Sequence, residues 1–183
     1  MATFPSAFSR AGCSVVVAWL MVLSVPSQAC PDGVFTDQPL AEVQVKAAFL
    51  FSFARFVTWP VADRPLAICV AGNTALAAAA TEIVRGRLVE GRSVVARELP
   101  ASGPADGCDL LYLGDLKADD ASAILSRLRG PVLTVGETPR FLRDGGMVRV
   151  FLEGNRMRFQ VNHRQTAAAG LKISSQLLAL GSQ

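Results

Sequence analysis

Residues 44–60 read QVKAAFLFSFARFVTWP, and this stretch decides how the rest of the chain can fold. Phe49, Phe53 and Phe56 follow the three-to-four spacing of an amphipathic helix, while further apolar residues fill both flanks and leave a narrow polar strip. Helices that are apolar on nearly every side are usually buried. The stretch therefore predicts a core helix that ends around Trp59, ahead of the closing proline.

Two other roles for this helix stay open at this point: contact with another protein and contact with a small molecule. A membrane span is disfavoured, because it needs about 20 predominantly apolar residues, whereas the charges of Lys46 and Arg55 interrupt this stretch and that of Glu42 lies just before it. Upstream, Asp37 is predicted to cap the helix, and Pro39 suits its first turn.

The first 29 residues have the pattern of an export signal. Arg10 is their only charge, and an apolar run at 14–25 is followed by a proline and small residues. Because the run is only about a dozen residues long, a retained membrane anchor is the less favoured alternative. We expect a signal peptide over residues 1–29, cleaved after Ala29, and a single domain over residues 40–181.

The charge balance of the exported chain is nearly neutral. Removal of residues 1–29 takes one of the 18 Lys and Arg residues, so 17 basic residues face 15 acidic ones and the net charge becomes +2. The basic residues are scattered and form no run that could follow a phosphate backbone. Nucleic acid is therefore not an expected partner.

Three cysteines remain after the expected cleavage. Cys69 lies in one apolar strand-like run and Cys108 begins another, and such strand ends can come within bridging distance. We predict a Cys69–Cys108 disulfide; a buried reduced pair is the alternative, which an oxidising compartment disfavours. Cys30 would begin the exported chain, either as a free thiol or, less favoured because Ser27 is not aliphatic, as a lipid anchor.

Strand-like and helix-like segments alternate after the first helix. The predicted elements are a strand at 66–71, a helix at 75–85 capped by Thr74, strands at 93–99 and 109–114, a helix from about 119 to 129, a strand at 132–135, hairpin strands at 147–152 and 156–161, and a last helix at 164–180. This order predicts an α/β single domain with a mostly parallel, Rossmann-like sheet flanked by helices and an antiparallel hairpin near the C-terminus.

Catalytic and metal-binding patterns are weak. His163 is the only histidine, it has no GxSxG neighbour, and its place at a strand-to-helix junction is typical of a cap or surface residue. One histidine offers no metal-ligand spacing once Cys69 and Cys108 are paired. We predict no enzymatic activity, cofactor or metal. A hydrolase that uses His163 or the aspartates of residues 106–120 remains an alternative.

Small-molecule binding is a second alternative, because open α/β sheets hold ligands at the carboxyl ends of their strands. Residues 71–73, AGN, lie where a phosphate loop would, but they lack the glycines of GxGxxG and the lysine of a P-loop. Gly72, Asn73 and Gly136 would line such a pocket.

The order of several segments resembles that of the YfiR family of exported bacterial proteins. These segments are VKAAFLFSFARFVTWP at 45–60, LAICVAG at 66–72, GRSV at 91–94, CDLLYL at 108–113, LTVG at 133–136, GGMV at 145–148, NRMRFQVN at 155–162 and AGLKISSQLL at 169–178. The resemblance extends from about Val45 to Leu180, almost the whole exported chain.

The resemblance implies a periplasmic α/β protein that holds an inner-membrane diguanylate cyclase inactive by binding its periplasmic sensory region, which lowers cyclic di-GMP and biofilm formation. It also implies other membrane sensors, an outer-membrane lipoprotein and a second copy of the chain as further partners. Cys69 and Cys108 match the family's disulfide positions. A second bridge found among relatives has no counterpart, because residues 147–152 contain no cysteine.

The leading hypothesis is thus a regulator without catalytic activity, and the alternative is a small-molecule-binding module that feeds a different membrane sensor. Excess apolar surface and the weak catalytic patterns motivate this choice. The predicted partner-binding residues are Arg55, Phe56, Thr58, Trp59, Pro60, Arg158, Asn162 and Lys172.

Overall fold

A computed structural model describes residues 38–60 and 63–181, which lie in one compact unit spanning Thr36–Gln183. The predicted signal peptide, Cys30 and the predicted cap Asp37 lie outside the described residues. The elements are α1 (Gln38–Phe56), β1 (Val57–Thr58), β2 (Leu66–Ala71), α2 (Thr74–Val84), β3 (Leu88–Val89), β4 (Arg92–Leu99), β5 (Leu110–Tyr112), α3 (Ala118–Arg127), β6 (Leu133–Gly136), β7 (Val148–Glu153), β8 (Arg156–Val161), α4 (His163–Ala168), β9 (Lys172–Ile173) and α5 (Ser175–Leu180).

Seven strands form the main sheet in the order β3-β4-β2-β5-β6-β7-β8. Strands β4, β2, β5, β6 and β7 run parallel, while β3 and β8 pair antiparallel at the two edges. The predicted α/β fold, the mostly parallel sheet and the hairpin are therefore confirmed. The short strand β3 was not predicted, because residues 86–91 have the composition of a turn.

Strand β2 lies inside the sheet and is buried along its whole length. Its residues alternate between two faces of the sheet. Leu66, Ile68 and Val70 belong to the core that α1 and α2 cover, which we call the α1 face. Cys69 and Ala71 belong to the core that α3 covers, which we call the α3 face. Burial on both faces explains why LAICVA is continuously apolar rather than alternating.

Helix α1 packs on its face of the sheet through an aromatic triad. The ring of Phe53 is fully buried, 5.9 Å from the ring of Phe49 and 5.3 Å from that of Phe159 in β8, with edge-on geometry in both pairs. Such pairs add about 0.5–1.5 kcal/mol beyond the area that they bury. The prediction that the Phe49 and Phe53 side of the helix packs on the sheet is confirmed.

The helix ends earlier than predicted, at Phe56 rather than near Trp59. Val57 and Thr58 leave the helix because they pair antiparallel with Ile173 and Lys172, which forms the two-stranded sheet β1-β9. A backbone partner 116 positions further along the chain thus overrides the local preference for helix.

The predicted single helix at 164–180 is wrong. The chain forms two short helices with β9 between them, because Gly170 adopts a left-handed backbone with φ of 74° and redirects the chain. The backbone N–H of Ser174 donates to the carbonyl of Phe56, and the Ser174 hydroxyl then caps α5. A second correction concerns α2, which is capped by Asn73 rather than by Thr74.

Candidate functional site

Five of the predicted partner-binding residues lie on or beside the end of α1, and we call this set the basic corner: Arg55, Phe56, Thr58, Pro60 and Lys172. Thr58 and Lys172 are paired across the β1-β9 ladder. The Arg55 guanidinium lies 5.6 Å from the centre of the half-buried Phe56 ring, and the other four side chains are exposed. The ladder and α1 therefore hold a cationic and aromatic surface on regular secondary structure.

The two cations of the basic corner are uncompensated within the described chain. Among the described residues, no carboxylate lies within 4 Å of Arg55 or Lys172. Arginine beside an aromatic ring is a common combination at the centre of protein interfaces. The corner can thus offer both positive charge and apolar contact area to a partner.

Trp59 has a different place from its neighbours in sequence. Its side chain is buried, and its indole N–H donates to the carbonyl of Ala54 at 2.8 Å. This bond satisfies a backbone acceptor in the last turn of α1, where carbonyls lack helical partners. Trp59 therefore stabilises the chain segment that carries the basic corner. Because its ring is buried, it offers little surface for contact with a partner.

Arg158 and Asn162 are not brought into the basic corner. Arg158 lies next to Phe159 in β8 and on the opposite face of the sheet, where it pairs with Glu153 at 3.1 Å. Asn162 caps α4 by accepting from the Gln165 N–H, and its amide donates to the carbonyl of Leu142 at 3.1 Å. These contacts give Asn162 a structural role that its position in the sequence did not reveal.

The predicted disulfide between Cys69 and Cys108 is present. It joins β2 to the residue that leads into β5, with Cα atoms 5.9 Å apart. The Arg97 guanidinium lies over the bridge, with Nε 3.3 Å from the Cys69 sulfur. The bond ties the centre of the sheet together on the α3 face.

The carboxyl edge of the sheet, where the alternative hypothesis places a small-molecule pocket, is filled by side chains. The Phe141 ring packs against Gly136 so closely that a methyl group there would lie 2.4 Å from it. Leu116 would approach a side chain on Gly72 to 3.2 Å. Asn73 donates to the Asp115 carboxylate at 2.5 Å, so it bridges the ends of β2 and β5. These contacts fill the space next to Gly72 and Gly136 and engage the Asn73 side chain.

A polar network occupies the α1 side of the same edge. The buried Tyr112 hydroxyl donates to the Glu137 carboxylate, and Lys46 of α1 contacts Glu137 at 2.8 Å and Glu42 at 2.9 Å. Burial raises the pKa of Tyr112, and the Glu137 carboxylate raises it further. Burial lowers the pKa of Lys46, but hydrogen bonds and attraction from Glu137 and Glu42 outweigh it, so this pKa lies above its ordinary value. The network joins α1 to β5.

The aspartates considered as catalytic have structural partners or lie in the open. The buried Asp109 carboxylate accepts two hydrogen bonds from Arg64, at 2.7 and 2.9 Å, and a third from Arg92 at 3.2 Å. It also accepts the backbone N–H of Ala67 at 2.8 Å. Asp119 and Asp120 are exposed in the first turn of α3, where negative charge stabilises a helix.

His163 is exposed at the start of α4, and its ring makes no hydrogen bond or ion pair with any residue that the structure describes. Within the described chain, no group of three or more His, Cys, Asp or Glu residues could hold a metal ion. Among residues 38–60 and 63–181, no helix is both long and apolar enough to cross a membrane.

Comparison with known families agrees with the resemblance noted in the sequence. The YfiR/HmsC-like family model matches residues 43–182, which is most of the chain and includes all of the main sheet. The match also covers the disulfide and most of the basic corner's supporting helix. Members of this family are periplasmic regulators without catalytic activity, and membership suggests a role in diguanylate cyclase signalling. The chain therefore belongs to the YfiR/HmsC-like family.

Proposed function

We propose that this protein represses an inner-membrane diguanylate cyclase by binding its periplasmic sensory region through the basic corner, which lowers cyclic di-GMP. The observation that carries the proposal is the pair of uncompensated cations, Arg55 and Lys172, held beside Phe56 on a rigid ladder in a member of a regulatory family. Complementary charge sets partner choice and speeds association. The partner surface is therefore expected to be acidic.

Repression follows from differential binding. A ligand shifts a two-state equilibrium only by the difference in its affinity for the two states. The basic corner acts as a repressor if it binds the inactive arrangement of the sensory region more tightly than the active one. Because Trp59 and the β1-β9 ladder fix the backbone of the corner, little backbone ordering opposes binding.

The proposal includes export to the periplasm, with residues 1–29 as a cleaved signal peptide and residues 40–181 as the regulatory domain. Intact-mass measurement of the protein recovered from the periplasm tests this part. The mass of a chain that begins at Cys30 would agree with the proposed cleavage after Ala29. A chain that retains Met1 contradicts it, and an added lipid mass on Cys30 supports anchoring instead.

The repressor role is tested by deletion and complementation. Deletion of the gene should raise cyclic di-GMP, and the wild-type gene should restore the lower level. The Arg55→Glu/Lys172→Glu variant should fail to restore it, and a membrane pull-down should retain at least tenfold less partner than with the wild-type protein. The double variant Arg143→Glu/Arg156→Glu changes the net charge equally at two exposed arginines outside the corner.

That control variant should repress like wild type. If both double variants fail alike, net charge rather than the corner accounts for binding. Unchanged cyclic di-GMP on deletion, together with no partner retained from membranes, would exclude the repressor role.

A further inference from the structure

A cavity of about 600 Å³ lies at the amino edge of the sheet, opposite the filled carboxyl edge. It opens between the loop at 102–107, the end of α3 and the starts of β5 and β6. Pockets for small organic ligands usually measure about 300–1,000 Å³. The volume is therefore that of a small-molecule site, in a place that no sequence motif marks.

One wall of the cavity is apolar and is fixed in position. Ile124 and Leu128 contribute from the end of α3, and Val132 from the start of β6. Cys108 also lines the cavity, so the disulfide to β2 anchors this wall. Such a surface suits a flat aromatic or alicyclic body rather than a free inorganic ion.

The loop that forms the opposite wall is held by hydrogen bonds. The backbone N–H of Gly103 donates to the carbonyl of Pro100 at 2.9 Å, and that of Cys108 donates to Ala105 at 3.3 Å. Arg97 donates to the carbonyl of Asp106 at 2.5 Å. The cavity is thus built before any ligand enters, and little loop ordering would oppose binding.

The charge at the cavity is positive. Arg64 and Arg92 together bind the single carboxylate of Asp109, which leaves one excess positive charge at the floor. Arg127 and Arg129 line the mouth, and Asp106 is the only other acidic residue of the lining. One further positive charge therefore remains there. The lining residues alone carry a net charge of about +1 at neutral pH, and Arg92, which pairs with Asp109 from outside the lining, adds another positive charge.

The two arginines of the mouth are available to an anion. Neither Arg127 nor Arg129 has a carboxylate within 4 Å in the part of the chain that the structure describes. Arg129 Nη1 donates to the carbonyls of Ser126 and Leu128 at 2.9 Å, which holds the guanidinium at the end of α3. Its other N–H groups donate to no residue that the structure describes. Arginine binds carboxylate, sulfonate and phosphate groups through such paired donors.

We propose that this cavity binds a small amphipathic anion, whose apolar body lies against Ile124, Leu128 and Val132 and whose anionic group pairs with Arg127 and Arg129. The site is separate from the basic corner, and it does not depend on the identity of the membrane partner. It also differs from the small-molecule site that the alternative hypothesis places at Gly72 and Gly136, at the other edge of the sheet.

The test is a fluorescence titration of the purified protein with 1-anilinonaphthalene-8-sulfonate, which combines an aromatic body with one sulfonate. Wild-type protein should bind it saturably at one site. The Arg127→Gln/Arg129→Gln variant should bind at least tenfold more weakly, whereas the control Arg143→Gln/Arg156→Gln should bind like wild type. Ala105→Trp, which fills the cavity from its loop without changing charge, should abolish the saturable signal.

Competition defines the ligand class. Millimolar 1-naphthoate should displace the probe, and equimolar inorganic phosphate should not; the neutral analogue N-phenyl-1-naphthylamine should bind at least tenfold more weakly than the sulfonate. Equal probe affinity in the Arg127→Gln/Arg129→Gln variant, or displacement by phosphate alone, would overturn the proposal. Because the titration needs neither membranes nor cyclic di-GMP, its failure is distinguishable from failure of the repressor role.

Discussion

The two faces of the sheet are stabilised in different ways. On the α1 face, 27 buried residues of the described chain form one apolar cluster around the Phe49, Phe53 and Phe159 rings. On the α3 face the corresponding cluster has 10 buried residues. The smaller cluster contains the disulfide, the ring of Phe141 seated against glycines, and the wall of the open cavity.

The difference shows how a face with few buried apolar residues can still be stable. Each fully buried large apolar side chain contributes about 1.5–3 kcal/mol, so packing is the main source of stability on the α1 face. The α3 face has fewer such side chains, and a covalent bond holds its strands instead. The small number of buried side chains on the α3 face also leaves room for the cavity. A face packed as densely as the α1 face would have filled this space.

The largest expected effect is on the α1 face. Phe53→Ala removes a fully buried ring that contacts two others, and we expect the free energy of unfolding to fall by about 4 kcal/mol. The matched control is Phe151→Ala, which removes a partly exposed ring on the other face of β7 and should cost less than about 1 kcal/mol. Urea denaturation measures both, and equal losses would contradict the ranking of the two faces.

The next effect is on the α3 face. Cys69→Ala/Cys108→Ala opens a bridge between residues 39 positions apart, and we expect a loss of about 3 kcal/mol in urea denaturation. Cys30→Ala, which leaves the bridge intact, should unfold like wild type. Thiol labelling of the unfolded exported protein should detect one thiol, and three would contradict the bridge.

A smaller effect tests the close contact between the Phe141 ring and Gly136. Gly136→Ala places a methyl group 2.4 Å from the ring, and we expect overpacking to cost about 2 kcal/mol. The double variant Gly136→Ala/Phe141→Leu should lose less stability than the two single variants added together, because the smaller side chain relieves the clash. Strict additivity in a double-mutant cycle would show that the ring does not limit this position.

The smallest effect is on the polar network at the α1 face. Tyr112→Phe removes the hydrogen bond to Glu137 and should cost about 1 kcal/mol at neutral pH. Above pH 10 the unfolded state releases the Tyr112 proton while the folded state, whose pKa is raised, keeps it. Stability should therefore fall as pH rises above 10.

The raised pKa of Lys46 acts in the same direction above its ordinary value of 10.5, so the Tyr112→Phe variant should show a shallower alkaline decline rather than none. Urea denaturation at pH 8, about pH 10 and about pH 11 measures the slope. An unchanged slope in the variant would mean that Tyr112 ionises alike in both states.

Elements specified by local patterns were predictable. The run LAICVA became β2 with the predicted bounds, and the hairpin around Gly154 formed as expected, because alternating or continuous apolar runs bounded by turn residues determine strands. The disulfide was predicted from one cysteine inside a strand-like run and another at the start of a second such run. The Phe49 and Phe53 side of α1 packs as its spacing indicates.

Features set by distant partners were not predictable. Residues 164–180 have a helical apolar pattern, but β9 forms because Val57 and Thr58 offer a ladder from the other end of the domain. Trp59 is an aromatic residue just after the end of α1, a combination that is typical of interfaces. Its ring is nevertheless buried, because its indole N–H binds a carbonyl that the helix end leaves without a helical partner. The cavity was not predictable, because its lining comes from a loop, a helix end and two strand starts, none of which forms a motif.

The β1-β9 ladder also constrains when the domain can fold. A chain delivered with its N-terminus first presents the aromatic helix α1 early, whereas Lys172, Ile173 and Leu177, which close over its end, arrive last. Long-range closure of this kind slows folding and leaves apolar surface exposed meanwhile. The protein is therefore expected to depend on a holding chaperone until the ladder closes, and loss of residues 172–183, which include β9 and α5, should leave an unclosed chain that proteases remove.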